Sequence, residues 1–296
     1  GFRGQIGARL AAVPTILYFH ENQISYPWSE YDKAHQYRNN QYGILNFSSA
    51  LAADQIWFNS AFHQRDFFEK LPGFLKQFPD QNQLHRIPEI KDKSAVFHLG
   101  MNLRELLALE RNVATVPPLI TWNHRWEYDK NPEVFFKMLF QLKDEGHAFQ
   151  LAVLGEQYSK SPPIFLEAQQ QLVDHIVHWG YADRASYHRW LQQTDFLPVT
   201  SQQDFFGGSL VEAMAAGAIP LVPNRLAFPE HIPSQHRHLL VYDSDKKLLR
   251  QMRSFLQRGV PTEVRSDLRN LVSRYDWSTL APIYDQGFEA LLQANK

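Results

Sequence analysis

The chain has 296 residues, 44% of them hydrophobic, which is enough for two domains with packed cores. Its 30 basic and 31 acidic side chains leave a net charge of −1, which excludes a strongly basic DNA-coating protein and an acidic tail protein but leaves room for a local basic groove. The absence of cysteine excludes disulfides, thiolate zinc sites and cysteine nucleophiles.

In the first third of the chain, apolar runs alternate with amphipathic stretches. Val13 to His20 contains a contiguous apolar core and predicts a buried strand. Ser60 follows a second apolar run and can cap the next helix, because its hydroxyl can accept a bond from a free helical N–H. Residues 71–93 are rich in Pro, Gln and Lys and predict a loop or a short irregular helix. The other predicted elements are strands at 55–58 and 95–99, a helix at 41–53 and a helix that begins after Ser60.

A second alternating set follows 111–118, a linker that ends in two prolines. Pro132 suits the first turn of a helix. We therefore predict a first domain over 1–113 and a second over 114–275. We also expect a C-terminal helix at 276–296 to pack back on the first domain. The predicted strands are 119–122, 149–154, 176–179, 196–200, 219–222 and 239–242, and the predicted helices are 131–142, 164–172, 185–193, 209–216 and most of the tail from 245.

This alternation of strands and helices predicts an α/β protein with two parallel sheets. In open parallel sheets, ligands bind at the carboxyl ends of the strands. Polar or glycine-rich segments follow many of the predicted strands, which indicates a site in a cleft between the two domains. These segments are His20, Asn59, Arg125, Gly155, Gly180 and the turn 201–208.

The segment 204–217, DFFGGSLVEAMAAG, combines two carboxylates with a glycine turn. Gly207 and Gly208 let the backbone approach a ligand closely, and the helix that follows offers free N–H groups and a positive dipole end to a diphosphate. Glu212, further into the helix, can accept bonds from ribose hydroxyls. The alternative is a plain helix cap with Glu212 exposed to solvent.

Arg125 and Lys130 lie five residues apart in a predicted strand-to-helix loop. Two cations there can neutralise a diphosphate leaving group, since arginine forks onto its oxygens. The alternative is a surface loop whose charges pair internally, for instance Arg125 with Glu127.

The polar run His20, Glu21, Asn22 and Gln23 comes directly after the first predicted strand. Such a cluster at a strand end can bind sugar hydroxyls or position an acceptor. The alternative is a capped turn with a satisfied histidine.

Together these three segments resemble the GT-B glycosyltransferases of family 4. Residues 204–212 are similar to that family's Glu-x7-Glu motif, and Arg125 and Lys130 match the cations that grip its nucleotide-sugar diphosphate. The resemblance implies two Rossmann-like domains with a cleft between them. More narrowly, the chain resembles the tRNA-queuosine mannosyltransferase group. That likeness rests on HENQISYP (20–27), QYG (41–43), FNS (58–60), HRWEYDK (124–130) and HWGY (178–181).

The narrower resemblance implies transfer of mannose from GDP-mannose to queuosine in a tRNA anticodon, with retention and with no metal or other cofactor. In this scheme Arg125 and Lys130 stabilise the leaving diphosphate and Asp204 contacts the hexose. His20 lies near the anomeric carbon or the acceptor hydroxyl, and Glu212 holds the ribose. The implied donor-binding backbone is Phe206, Gly207, Gly208, Ser209 and Leu210, and the implied acceptor-side residues are Glu21, Asn22, Gln23, Tyr26, Gln41, Asn59 and Ser60.

The sequence departs from the family pattern at two places. Asp204 stands where the family mostly has Glu, and its shorter side chain can loosen the hexose contacts or select another sugar. Only about ten residues precede the first predicted strand, whereas the family opens with a glycine-rich strand-loop-helix. We therefore expect a truncated first domain that lacks its first elements.

Two other functions stay open at the sequence level. One is a family 4 transferase with a lipid, glycan or small-molecule acceptor, and the other is a nucleotide-sugar-binding protein without turnover. Asp243-Ser244-Asp245 matches the Asp-x-Asp motif of metal-dependent transferases, but its place before an amphipathic helix favours a helix cap. The chain has no apolar run of about 18 residues and no recognisable signal peptide, so we expect a cytoplasmic protein with no membrane partner.

Overall fold

The computed structural model describes residues 13–26, 36–78, 80–108, 116–156 and 161–294. The predicted boundary after residue 113 and most of the predicted linker lie outside these ranges, as do Pro27 and the residues before Val13. The chain divides into two compact units. One comprises Gly1–Gly100 with Ser278–Lys296, and the other comprises Met101–Trp277.

The first unit contains a parallel sheet with strand order β1-β2-β3 in the described residues. Phe19 at the end of β1 pairs with Phe58 at the end of β2, and their rings stack with centroids 5.2 Å apart. Both rings are buried in a core rich in phenylalanine. The elements are β1 (Ile16–Phe19), α1 (Gln36–Ala52), β2 (Gln55–Phe58), α2 (Ala61–Leu75), α3 (Ile87–Asp92) and β3 (Ser94–Val96).

Helix α2 differs from the prediction because it runs through Pro72 to Leu75. A proline inside a helix removes one backbone bond and costs about 3 kcal/mol. Leu71, Phe74 and Leu75 are all buried on this last turn, so packing offsets that cost. The segment 71–93 therefore begins with the last turn of α2, and its second half contains a 3-10 turn at Leu84–Arg86 and the short helix α3, in agreement with the predicted short helix.

Ser60 caps α2 as predicted, since its Oγ accepts a bond from the backbone N–H of His63 at 2.9 Å. We expect Ser60→Ala to lower the free energy of unfolding by about 1 kcal/mol, because the helix loses a cap. Denaturant unfolding measures the change. Ser48→Ala, which removes an exposed hydroxyl bonded to the Leu45 carbonyl within α1, is the control. Equal effects of the two substitutions would contradict the capping role.

The C-terminal helix α12 (Trp277–Ala294) supplies aromatic packing to the first unit. Trp57 of β2 stacks on Phe97 at 3.7 Å, and Tyr284 packs edge-on against both rings. A Cβ on Gly287 would lie 2.8 Å from the Trp57 side chain, so glycine permits this close approach. In the part of the chain that the structure describes, no helix is both long enough and apolar enough to cross a membrane.

The second unit contains a parallel sheet with strand order β6-β5-β4-β7-β8-β9. Strand β4 is buried along its whole length, as its continuous apolar run predicts. The strands are β4 (Leu119–Trp122), β5 (Gln150–Leu154), β6 (Ile176–Gly180), β7 (Phe196–Pro198), β8 (Ile219–Pro223) and β9 (Val241–Tyr242). The helices are α4 (Arg104–Ala108), α5 (Pro132–Asp144), α6 (Ile164–Gln171), α7 (Arg184–Gln193), α8 (Gly208–Ala215), α9 (Arg237–Leu240), α10 (Asp245–Arg258) and α11 (Thr262–Val272).

The predicted strand 239–242 is wrong in its first half, because α9 continues to Leu240 and only Val241 and Tyr242 pair with β8.

The segment Asp243-Ser244-Asp245 caps helix α10, as the helix-cap interpretation predicts. Ser244 accepts a bond from the backbone N–H of Lys247, and Asp243 pairs with the Lys247 side chain at 3.0 Å.

Candidate functional site

Strands β4 and β7 lie side by side at the point where the order of the second sheet reverses. Ligands of open parallel sheets bind outside the carboxyl ends of the strands at such a switch point. The segment 123–131 follows β4, and the segment 199–207 follows β7. The two motifs that the sequence analysis ranked as donor-binding are therefore neighbours.

The glycine turn after β7 is closed by the side chain of Asp204. Its Oδ1 accepts bonds from the backbone N–H groups of Phe206 at 3.1 Å and Gly207 at 2.6 Å. Gly207 has φ 92°, a left-handed conformation that glycine adopts without steric cost, and α8 begins at the next residue. Two of the five predicted donor-binding N–H groups are thus already bonded within the turn.

The remaining N–H groups of the motif belong to Gly208, Ser209 and Leu210 in the first turn of α8. The first N–H groups of a helix have no acceptor within the helix, and the first i→i−4 bond near this end runs from Val211 to Gly207. This end of α8 therefore offers backbone donors and a positive dipole end. Those are the properties that suit a phosphate group.

Lys130 lies beside this turn, next to Asp204. Its Nζ donates to the Gln203 carbonyl at 2.9 Å and lies 3.8 Å from Asp204 Oδ2. It also lies 3.2 Å from the carboxylate of Asp129, and the side chains of Lys130 and Asp129 are only 12% and 7% exposed. The structure thus brings Lys130 and Asp204 together, and it adds Asp129, which the sequence analysis did not single out.

Arg125 is 54% exposed and pairs with Glu127 at 3.0 Å. This is the internal pairing that the sequence analysis kept as its alternative. Surface ion pairs of this kind contribute only about 0–1 kcal/mol, so a diphosphate that offers two charged oxygens can compete for the guanidinium. The diphosphate role of Arg125 stays a prediction.

Glu212 is partly buried, so the plain cap with a solvent-exposed carboxylate is wrong. Its Oε2 accepts a bond from the Tyr187 hydroxyl at 3.0 Å. Asn123, directly after β4, donates to the Ser209 carbonyl at 2.9 Å and contacts the Tyr187 hydroxyl at 3.4 Å. Strand β4, helix α7 and helix α8 therefore meet at this carboxylate, and Tyr187 had no signal in the sequence because its contacts are long-range.

Burial raises the pKa of Glu212, and the bond from Tyr187 and the nearby His188 and Arg184 oppose the shift. A carboxyl with a raised pKa binds more protons in the folded protein than in the unfolded chain. Its contribution to stability therefore falls as pH rises from the ordinary value through the raised value.

We expect Glu212→Gln to raise Tm at pH 7, because it removes this buried charge. The gain should vanish near pH 4, where the carboxyl is largely protonated. Thermal unfolding at the two pH values measures the effect. Glu167→Gln, on the exposed face of α6, is the control and should show no such pH dependence. A lower Tm for Glu212→Gln at pH 7 would contradict the prediction.

His124 is a third residue, after Asp129 and Tyr187, to which the sequence assigned no role. It is buried, and its Nδ1 lies 3.2 Å from Ser209 Oγ. Burial, reinforced by the charge of Lys130, lowers the pKa of His124 to about 3. The ring is therefore neutral at physiological pH, so it supports the start of α8 as a hydrogen-bond partner and not as a third cation.

In the first unit, three predicted acceptor-side residues, Asn22, Asn59 and the helix cap Ser60, are buried and bonded to the backbone around β1 and β2. Asn22 Oδ1 accepts from the N–H groups of Ile24 and Ser25, each at 3.0 Å. Asn59 Nδ2 donates to the His20 carbonyl at 2.8 Å, and its Oδ1 lies 2.8 Å from His63 Nδ1. These bonds agree with the alternative of a capped turn, because the side chains of Asn22 and Asn59 hold the backbone of the turn after β1.

The other predicted acceptor-side residues are more open. His20 and Glu21 are exposed, and Gln23 donates to Glu21 at 3.1 Å. Tyr26 is partly buried, and Gln41 is exposed on α1. His63, the buried hydrogen-bond partner of Asn59, has a pKa lowered to about 3. Burial is the main cause, and the charge of His20 is the smaller one. The acceptor roles in this unit stay predictions.

Two protein families match this chain in consecutive segments. Residues 2–101 match the N-terminal domain of tRNA-queuosine alpha-mannosyltransferases, and residues 110–271 match the glycosyl transferases group 1. A tRNA-queuosine alpha-mannosyltransferase of Drosophila melanogaster is 33% identical over 260 residues, which cover 84% of this chain and 67% of that protein.

Solved structures share the fold at low sequence identity. Anabaena HepE in complex with UDP has a TM-score of 0.70 at 15% identity, covering 97% of this chain and 75% of that one. Sucrose-phosphate synthase from Thermosynechococcus elongatus has a TM-score of 0.67 at 15% identity, with 94% and 68% covered. A glycosyltransferase from Rickettsia africae has a TM-score of 0.64 at 14% identity, with 94% and 70% covered. The fold is therefore that of GT-B glycosyltransferases, as predicted.

Proposed function

We propose that this chain, which belongs to the group 1 glycosyltransferases of the tRNA-queuosine alpha-mannosyltransferase type, transfers a hexose from a nucleotide sugar to queuosine in tRNA. One observation carries the donor half of the proposal. Lys130, the Asp204 turn and the N–H groups in the first turn of α8 converge at the switch point between β4 and β7. The match of residues 2–101 to the N-terminal domain of that family supports the acceptor half.

The finer proposal is mannose from GDP-mannose, transferred with retention of configuration by an enzyme of family 4. The name of the Drosophila relative supports mannose, and the sequence resemblance supports the nucleotide and the stereochemistry. We also propose that no metal takes part. In that scheme the two cations and the helix end neutralise the diphosphate that a metal would otherwise hold.

Cleavage of the bond between the anomeric carbon and the diphosphate leaves negative charge on the phosphate oxygens. Lys130 Nζ is held by three oxygen neighbours at a fixed position, so it can meet this charge without reorganising. Arg125 can add two parallel bonds once it leaves Glu127. Glu212 binds the ribose hydroxyls, and Asp204 Oδ2 faces the hexose. His20 and the turn after β1 contact the acceptor.

The test is incubation of the chain with radiolabelled GDP-mannose and two tRNA preparations, one that contains queuosine and one with guanosine at the same position. Label only in the queuosine-containing tRNA supports the proposal. Label in both tRNAs, or transfer to lipid or glycan acceptors alone, overturns the acceptor. Nucleotide binding without transfer, under conditions in which the Drosophila relative is active, overturns the enzymatic role of this chain as it stands. Parallel reactions with UDP-glucose test the donor.

A further inference from the structure

The peptide unit between Phe206 and Gly207 is held at both polar ends. Its N–H, on Gly207, donates to Asp204 Oδ1 at 2.6 Å. Its carbonyl, on Phe206, accepts from Nε2 of His231 at 2.5 Å. His231 is fully buried, lies 25 residues further along the chain, and was not singled out in the sequence analysis. The glycine turn therefore depends on a second element for its orientation.

The hydrogen bonds around His231 run in one direction. A carbonyl oxygen can only accept, so Nε2 carries a ring hydrogen and donates it to Phe206; when the ring is neutral, Nδ1 accepts. The Tyr275 hydroxyl lies 2.9 Å from Nδ1. Arg274 donates to the same hydroxyl oxygen, which leaves the hydroxyl hydrogen for His231. A chain of donors thus leads from Arg274 through Tyr275 and His231 to the Phe206 carbonyl, and such chains strengthen their members.

Ring packing makes this support rigid. The rings of Phe206, His231 and Tyr275 contact one another edge-on, with centroids 5.1 to 5.2 Å apart. All three side chains are buried. Phe228 lies behind the turn, since a Cβ built on Gly207 would be 3.2 Å from its ring. A buried, close-packed group of this kind has few alternative arrangements.

We propose that His231 is a positioning residue for the donor diphosphate. It orients the Phe206–Gly207 peptide, and this peptide in turn directs the first N–H groups of α8 toward the phosphates. Donors that are fixed before the reaction stabilise a developing charge more than donors that must reorient. The inference rests on the proposed function, because it needs a nucleoside diphosphate at this turn.

His231→Phe tests the inference, because it keeps an aromatic ring and removes the bond to Phe206. We expect the Kd for GDP, measured by titration calorimetry, to rise at least tenfold. The KM for the nucleotide sugar should rise with it, and the KM for tRNA should stay unchanged. His231→Gln should restore most of the affinity, because the amide can donate to the same carbonyl. His175→Phe is the matched control, because His175, just before β6, likewise bonds a backbone carbonyl, that of Phe149, at 2.9 Å. This substitution should leave the Kd unchanged.

A Kd for His231→Phe within twofold of the wild-type value would overturn the inference. If this variant does not fold, Tyr275→Phe takes its place. It leaves His231 Nδ1 without the hydroxyl hydrogen, and we expect a threefold to tenfold rise in Kd; an unchanged Kd would again overturn the inference. UDP serves as the second probe, and a wild-type chain that binds neither nucleotide also overturns it. Failure of transfer to tRNA with intact GDP binding would affect only the proposed function.

Discussion

Lys130→Met is expected to lower kcat for glycosyl transfer by about 10²–10³-fold, which corresponds to about 2.7–4 kcal/mol of transition-state stabilisation. The ammonium is the only Lys or Arg head group that the structure places within 4 Å of Asp204 among the described residues. Methionine keeps the length and the apolar stem of lysine but leaves the departing diphosphate without this charge. Steady-state kinetics with saturating nucleotide sugar measures the effect.

The same substitution also removes the partner of Asp129, and a buried carboxylate without a counter-charge destabilises the fold. The double variant Asp129→Asn/Lys130→Met restores neutrality, so we expect it to fold better than the single variant and to remain inactive. Lys143→Met is the matched lysine control, because Lys143 is on the same unit and bonds the Gln171 carbonyl at an exposed position. Recovery of activity in the double variant would show that Lys130 acts on stability alone.

Gly155→Ala is expected to have the largest effect on stability. Gly155 follows β5 with φ 109°, where an L side chain is strained, and its Cβ would lie 2.3 Å from the carbonyl oxygen of His124. That oxygen already accepts a bond from Trp122 Nε1 at 2.9 Å, so it has little freedom to move. We expect the free energy of unfolding to fall by about 3–5 kcal/mol, the sum of the costs of backbone strain and of overpacking. Chemical denaturation measures the loss.

Gly146→Ala separates the two causes. Gly146 also has a positive φ, 78°, but a Cβ there would have no neighbour within 4 Å. Gly146→Ala should therefore lower the free energy of unfolding only by the cost of backbone strain, about 1–2 kcal/mol. The difference between the unfolding free energies that the two variants lose is the cost of moving the loop after β4. This loop carries Arg125 and Lys130. Equal losses would mean that the loop after β4 yields freely to the added methyl group.

Local signals were sufficient for most of the elements. The apolar run at 119–122 predicted β4 with its observed bounds, because a fully buried parallel strand has apolar residues on both faces. Pro132 predicted the start of α5, and Ser60 and Ser244 predicted two caps, since capping depends on residues within one turn. The prediction was wrong at Pro72 and at 239–240, where packing against other elements outweighs the local preference.

The candidate site was predictable as a set of motifs and not as a set of contacts. Lys130 and Asp204 were each found by residue type and spacing. Asp129 and His124 lie inside the motif 124–130, but nothing in the local sequence distinguishes a buried carboxylate or a neutral buried imidazole from an exposed one. Asp129 contacts the loop after β7 through the backbone N–H of Gln202, and His124 contacts Ser209 of α8, so both environments depend on contacts that are distant in sequence.

The sequence by itself determined the class of the fold, the places of most strands and helices, and the motifs of the candidate site, because these follow from hydrophobic period, capping and glycine turns. Only the tertiary structure decided that β4 lies beside β7, that Tyr187 holds Glu212, and that His231 holds the Phe206 carbonyl. Those contacts join residues far apart along the chain. Their partners are selected by packing and by the need to satisfy buried polar groups, which no local pattern records.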